Sequence, residues 1–126
     1  MANNLKNGFI TICSLAVIFT AGCSSMKTPA TADVAVSKAA VDNAAGAGAA
    51  ELAPMEMSSA REKLALANTA MKAKDYKLAS ELANQAQVDA KLAQSKASSA
   101  KAQAAADALQ DDIRVLREEL FRANNK

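Results

Sequence analysis

The side chains best suited by type to acid–base work are two adjacent carboxylate pairs, Asp111-Asp112 and Glu118-Glu119; the nearest approach to a nucleophile cluster is Ser95, Ser98 and Ser99. Neither constellation closes. Neighbouring residues on a helix diverge around its axis rather than face each other, and a sugar-cleaving carboxylate pair needs a cleft to hold its substrate. The serines have no strand–turn–helix elbow and read as small packing residues. The chain contains no His and no Trp, which removes His general bases, Ser-His and Cys-His pairs and His metal ligands together. The aromatics are Phe9, Phe19, Tyr76 and Phe121, too few to build a stacking platform. A non-catalytic protein with no metal and no cofactor is expected, and Cys23 is left as the side chain whose setting suggests chemistry.

That setting begins with Lys6, continues through an apolar run over residues 8–19, and ends in Thr20-Ala21-Gly22-Cys23-Ser24-Ser25. The order is that of a secretory signal. A Cys directly after small residues resembles the lipobox of bacterial lipoproteins, although Thr20 stands where that motif usually has Leu, Val or Ile. The resemblance implies cleavage between Gly22 and Cys23, with lipid attached to Cys23. Two other readings remain: an ordinary signal cleaved near Gly22, leaving a soluble protein, and an uncleaved span over the uncharged residues 7–26, which includes several polar residues where about 20 predominantly apolar ones are needed. Multiple acyl chains satisfy the two-signal requirement for stable anchoring. Ser24, rather than Asp, resembles the sorting pattern of outer-membrane lipoproteins, so the expected location is the periplasmic face of the outer membrane.

Cys13 leaves with the signal and Cys23 is consumed by lipid, so no disulfide is expected and the fold must hold by packing. The 15 basic and 13 acidic residues nearly balance, which gives no footprint for nucleic acid. Of 126 residues 32 are Ala. Such a chain cannot fill a thick core and must pack helix closely on helix.

Helix signals dominate after a polar spacer containing Pro29. Residues 32–45 lack Gly and Pro, carry a weak stripe of Val34, Val41 and Ala45, and end at Gly46-Ala47-Gly48. Pro54 suits a helix first turn. The helix it opens extends to about Lys74, with Met57, Ala60, Leu64, Ala67 and Met71 spaced 3, 4, 3, 4. Asp75 is the expected N-cap of a third helix, which runs without Gly or Pro to Phe121, and Tyr76 is the expected anchor of the hairpin turn. A helix of that length spans about 70 Å and must protrude beyond its neighbours.

Two stripes run along it. Ala79, Ala83, Ala86, Ala90, Ala93, Ala97, Ala100 and Ala104 form an all-Ala heptad seam, most of which a hairpin would cover. On the opposite face lie Val88, Leu92, Ser95, Ser99, Ala102, Ala106, Leu109, Ile113, Leu116 and Leu120. Only the far end, Leu109, Ile113, Leu116 and Leu120, is strongly apolar. Charges at i,i+3 and i,i+4 flank it as on a solvated coiled-coil edge. It is expected to contact another helix, from a second copy or from an envelope protein. The plainer alternative is a frayed amphipathic tip, since two heptads fall short of the three or four that mark a coiled coil.

The stretch Gly48-Ala-Ala-Glu-Leu-Ala-Pro54, followed by Met57, Ala60, Lys63-Leu64, Ala67, Asp75-Tyr76, Ala79, Leu82-Ala83 and Ala86, resembles an alanine-rich helical domain of unknown function found in envelope lipoproteins of Gram-negative bacteria. In larger members that domain precedes an OmpA-like peptidoglycan-binding domain. Leu116-Arg117-Glu118-Glu119-Leu120 is similar to the connecting helix, and the wall-binding domain itself is not expected here. A looser likeness to the murein lipoprotein, which ends in a wall-linked Lys, implies at most a covalent link through Lys126; its basis is a single terminal residue.

The resulting expectation is an all-α fold, a helical hairpin or three-helix arrangement with a long protruding C-terminal helix. The expected segments are a signal peptide (1–22), a lipidated Cys with polar linker (23–31), an alanine-rich helical domain (32–106) and an amphipathic extension (107–126). The expected role is structural or scaffolding in the envelope, with a membrane-tethered adaptor that captures a partner helix as the alternative.

Overall fold

The computed structural model describes residues 26–125. Four helices follow in order: α1 (Lys27–Gly46), α2 (Ala49–Leu52), α3 (Pro54–Lys72) and α4 (Tyr76–Asn124). No strand occurs among the described residues, and the fold is all-α with a long projecting last helix.

Cross-helix pairs give the directions. Ser59 and Lys63 of α3 reach Asp89 of α4, while Glu56, earlier in α3, reaches Lys96, later in α4. These two helices are therefore antiparallel. Ser80, near the start of α4, donates to Asp33, near the start of α1, and a Cβ built on Gly48 would lie 3.3 Å from Lys101 Nζ. Hence α1 runs parallel to α4, and α1, α3 and the first half of α4 make an up-down-up bundle.

The core is made almost entirely of methyl groups. The buried residues are Ala30, Ser37, Val41 and Ala44 on α1, Met57, Ala60, Ala67 and Ala70 on α3, and Ala79, Ala83, Ala86, Ala90, Ala93 and Ala97 on α4. Ala49 and Ala53 close the end near the α1–α3 connection. Small side chains let helix backbones approach closely, so the contact is gained by proximity rather than by side-chain bulk. Met57 is the largest fully buried side chain.

The start of α1 departs from the expected spacer. Residues 27–31 are helical, and Pro29 sits in the first turn, where its missing N–H has no intrahelical partner to lose. Ala30 is fully buried beside Ala70 and Ala79; this cross-helix burial stabilises a turn that local composition does not predict. The stripe of α1 is accordingly Ala30, Val34, Ser37, Val41 and Ala44, at 4, 3, 4, 3 spacing, with Val34 half-buried. Its register is visible only once Ser37 is counted as a core residue.

Two backbone turns set the lengths. Gly48 adopts φ +82° and its N–H bonds Ala45 C=O at 3.0 Å, ending α1 with the residue type that tolerates the left-handed region. Gly46 is the last residue of α1, and nothing lies near the place its Cβ would occupy. After α3, Lys74 takes φ +62°. Its N–H bonds Met71 C=O at 3.1 Å and the Asp75 N–H bonds Ala70 C=O at 3.0 Å, the paired closure of a Schellman turn. Asp75 then caps α4 by accepting from Leu78 N–H at 3.1 Å. One residue thereby finishes one helix and starts the next.

Candidate functional site

The bundle covers α4 only as far as Ala97. From residue 98 to residue 125 every position is exposed, including Ala100 and Ala104, the last two members of the Ala seam. The cover stops because α3 begins at Pro54, and antiparallel pairing has already brought its Glu56 opposite Lys96. About 27 residues of α4, roughly 40 Å at 1.5 Å per residue, therefore project as a single helix.

The expected contact residues lie on this projection. Leu109 is 61% exposed, Ile113 39%, Leu116 58% and Leu120 64%. They recur at 4, 3, 4 spacing and share a face, flanked by Asp112 and Glu119 on one edge and Gln110 and Arg117 on the other. Arg114 and Asp111 pair within the helix at 3.0 Å, away from that face. Val115 and Phe121 are also exposed and lie outside the stripe. The four large aliphatic residues form an uncovered strip along one face of the projection, which makes this face the candidate site.

Along the same face toward the bundle, Val88, Leu92, Ser95, Ser99, Ala102 and Ala106 are all exposed. This corrects the expectation that Ser95, Ser98 and Ser99 serve as small-residue packing: the structure turns all three to solvent. The carboxylates Asp111, Asp112, Glu118 and Glu119 are likewise solvated. No cluster of metal-ligating side chains is found among the described residues.

At the other end, Asp75 and Tyr76 form the turn as expected. Tyr76 is half-buried and packs with Met71 against the cluster of Ala30, Ala70 and Ala79, so its ring supplies bulk where the three helices meet. Gly22 and Cys23, the cleavage and lipidation positions, lie outside the described residues, as does Lys126. Among the described residues no helix is long and apolar enough to cross a membrane.

Two polar ties were not foreseen. Asp89 accepts from Lys63 Nζ and from Ser59 Oγ, each at 2.7 Å. Partial burial pushes its carboxyl up, but the hydrogen bonds from Lys63 and Ser59 and the Lys63 charge outweigh this and hold it below the usual carboxylate value. Glu56 is held low chiefly by the hydrogen bond from Lys96. Both ties join α3 to α4 along one edge of the Ala seam and set the register that featureless methyl contacts leave loose. Each partner lies more than twenty residues away in sequence, beyond the reach of i,i+4 reasoning.

Fold and site together define an all-α bundle of small-residue helices that extends one helix as an exposed apolar stripe. The model of a family described as a domain of unknown function (DUF4398) matches residues 32–109, and the chain belongs to that family. The match takes in most of the bundle and the base of the projection, with Leu109 inside it and Ile113, Leu116 and Leu120 beyond it. No curated protein and no solved structure matches the chain.

Proposed function

We propose that the protein is a non-catalytic lipoprotein, held on the periplasmic face of the outer membrane by lipid on Cys23, with a structural or scaffolding role in the cell envelope. The observation that supports this reading most is the polarity of the rod. Because α1 runs parallel to α4, Met26, three residues after Cys23, lies at the same end as Tyr76. The apolar stripe around Leu116 lies toward the opposite end of a helix of 49 residues, about 73 Å long at 1.5 Å per residue. A chain tethered at its start would present the stripe away from the bilayer. A stripe facing the membrane would instead have been a candidate for lipid insertion.

Mass spectrometry of the mature N-terminus from isolated membranes tests the tether. The expected result is a chain beginning at Cys23 with a diacylglycerol thioether and an acylated amine, and Cys23→Ala should leave the product unprocessed or move it out of the membrane fraction. An unmodified Cys23, or wild-type product in the aqueous extract, overturns the reading. The adaptor alternative draws on the same stripe and differs in its occupant. A chain that stays monomeric at its membrane density and retains a different envelope protein through Leu116 would favour the adaptor over the scaffold.

A further inference from the structure

We propose that the exposed stripe of α4 is the seam of a parallel, in-register, two-stranded coiled coil with a second copy of this chain. The proposal names the occupant of the stripe in the scaffold reading and rests on that reading for the common orientation of the copies.

The stripe has heptad lettering. With Ile113 at position a, Ala106 and Leu120 are also a, and Leu109 and Leu116 are d. Ile113, the one β-branched residue at a, lies between Leu109 and Leu116 at d, the local combination that favours two parallel strands. The edges are set as well: Asp112 and Glu119 occupy g, while Gln110, Arg117 and Asn124 occupy e.

Charge on those edges separates a second copy in one orientation from a second copy in the other. In a parallel pair, g of one helix faces e of the next heptad of its partner. Asp112 then meets Arg117 of the second copy, twice by symmetry, and Glu119 meets Asn124. No like charges meet along residues 106–124. In the antiparallel alignment that best overlaps the apolar residues, Leu109 sits opposite Leu120 and Ile113 opposite Leu116. Edge g then faces edge g, which sets Asp112 against Glu119 twice, and Arg117 meets only Gln110. Asp111 and Arg114, paired within their own chain at 3.0 Å, fall at f and b and compete with none of this. Among the described residues, Asp112 and Arg117 make no ion pair or side-chain hydrogen bond within the chain, so both remain available across the seam.

The bundle does not obstruct the pairing. The buried alanines Ala79, Ala83, Ala86, Ala90, Ala93 and Ala97 occupy b and f in the same lettering, the outer face of a two-stranded coil. α3 also reaches the e edge through Asp89 and Lys96, but only in the bundle half, so along residues 106–124 no described element stands between the two copies. Below Ala106 the a and d positions are Ala102, Ser99 and Ser95, too small or polar to hold a seam, so the helices separate although Val88 and Leu92 lie further along the stripe. Two heptads give a weak association in dilute solution. Tethering both copies to one surface raises their effective concentration and favours the parallel orientation.

The test uses the full chain in its membrane, with one cysteine introduced at a time and copper-phenanthroline oxidation. At a and d positions of an in-register parallel pair each residue faces itself, so Ile113→Cys and Leu116→Cys should each form covalent dimers. Asp111→Cys and Glu118→Cys, at f, should give less than a tenth of that yield. In the Leu116→Cys background, Asp112→Arg or Arg117→Asp should lower the dimer yield about five- to tenfold, and the two together should restore it. The proposal is overturned by absence of linkage at both 113 and 116, by linkage only in mixtures of Ile113→Cys with Leu116→Cys, or by charge variants that leave the yield unchanged. Mass analysis of the linked peptide and of the N-terminus separates the two claims. Acylated Cys23 without a 116–116 link removes the coil and leaves the anchor. A 116–116 link on a chain with bare Cys23 retains the coil and removes the anchor.

Discussion

The two halves of α4 use one periodicity for opposite ends. In the half that lies in the bundle, the heptad positions turned toward α1 and α3 are all Ala and are fully buried, whereas Val88 and Leu92 on the other face stay exposed. In the projecting half no other described element covers the helix, and the large residues Leu109, Ile113, Leu116 and Leu120 are exposed. The usual sorting of bulky apolar residues inward is reversed. Close-packed helices need small residues between them, so the fold is assembled from methyl groups, and the bulky side chains that could bury more area per residue stay exposed. The residues that hold the bundle and those of the proposed contact are therefore different residues on one helix, which makes the two roles separable by mutation.

Met57→Ala should have the largest effect on the bundle half. It empties the one long side chain fully buried among the described residues and should cost about 2–5 kcal/mol, read as a fall in the denaturant midpoint. Ala90→Leu should follow, with about 1–3 kcal/mol lost to overpacking of a seam built for methyls; a smaller loss would mean that the helices separate easily and that close approach is not what holds them. Asp75→Ala removes the cap on α4 and should cost about 1 kcal/mol. Lys74→Gly should act in the other direction. Its φ of +62° strains an L-residue, and relief of that strain should raise stability by about 0.5–1 kcal/mol after the entropy of glycine is counted. Leu116→Asp in the projecting half should leave the unfolding midpoint within about 0.5 kcal/mol of wild type while abolishing association. A clear drop in stability on that substitution would show that the tip is part of the folding unit and would break the division.

Acid should also act on the bundle. Asp89 has a depressed carboxyl in the fold, so its stabilising contribution is complete above the unfolded value near 3.9 and is lost as pH falls through the lower folded value. The loss should appear only below about pH 4, and Asp89→Asn should flatten that part of the stability curve.

Much of this arrangement is legible in the chain itself. The all-helical character of the described residues, the helix opened by Pro54, the Asp75 cap, the Ala seam and the apolar tip all follow from residue type and spacing, because caps and heptads act over a few residues. The first turn of α1 is not legible, since Lys27-Thr28-Pro29-Ala30 has no helical signature and becomes helical through burial of Ala30 on α3 and α4. Lys74 is similar: a glycine at that position would have announced the turn, while a lysine is held there by the two backbone bonds on either side. Ser37 reads as polar and proves to be core because a serine is nearly as small as the alanines around it.

What the order of residues decided, then, is the repertoire: helices, their caps, which face of each is apolar, and how large the side chains on that face are. Only assembly in three dimensions decided where the alanine seam stops being covered, which serines meet solvent, and that α1 lies parallel to α4, with Lys27 set at the end opposite the apolar tip. Periodicity is a property of one helix and can be counted along it. Register and direction belong to pairs of helices, and here they depend on ties such as Lys63 to Asp89 and Lys96 to Glu56, whose members are brought together only when the chain has folded.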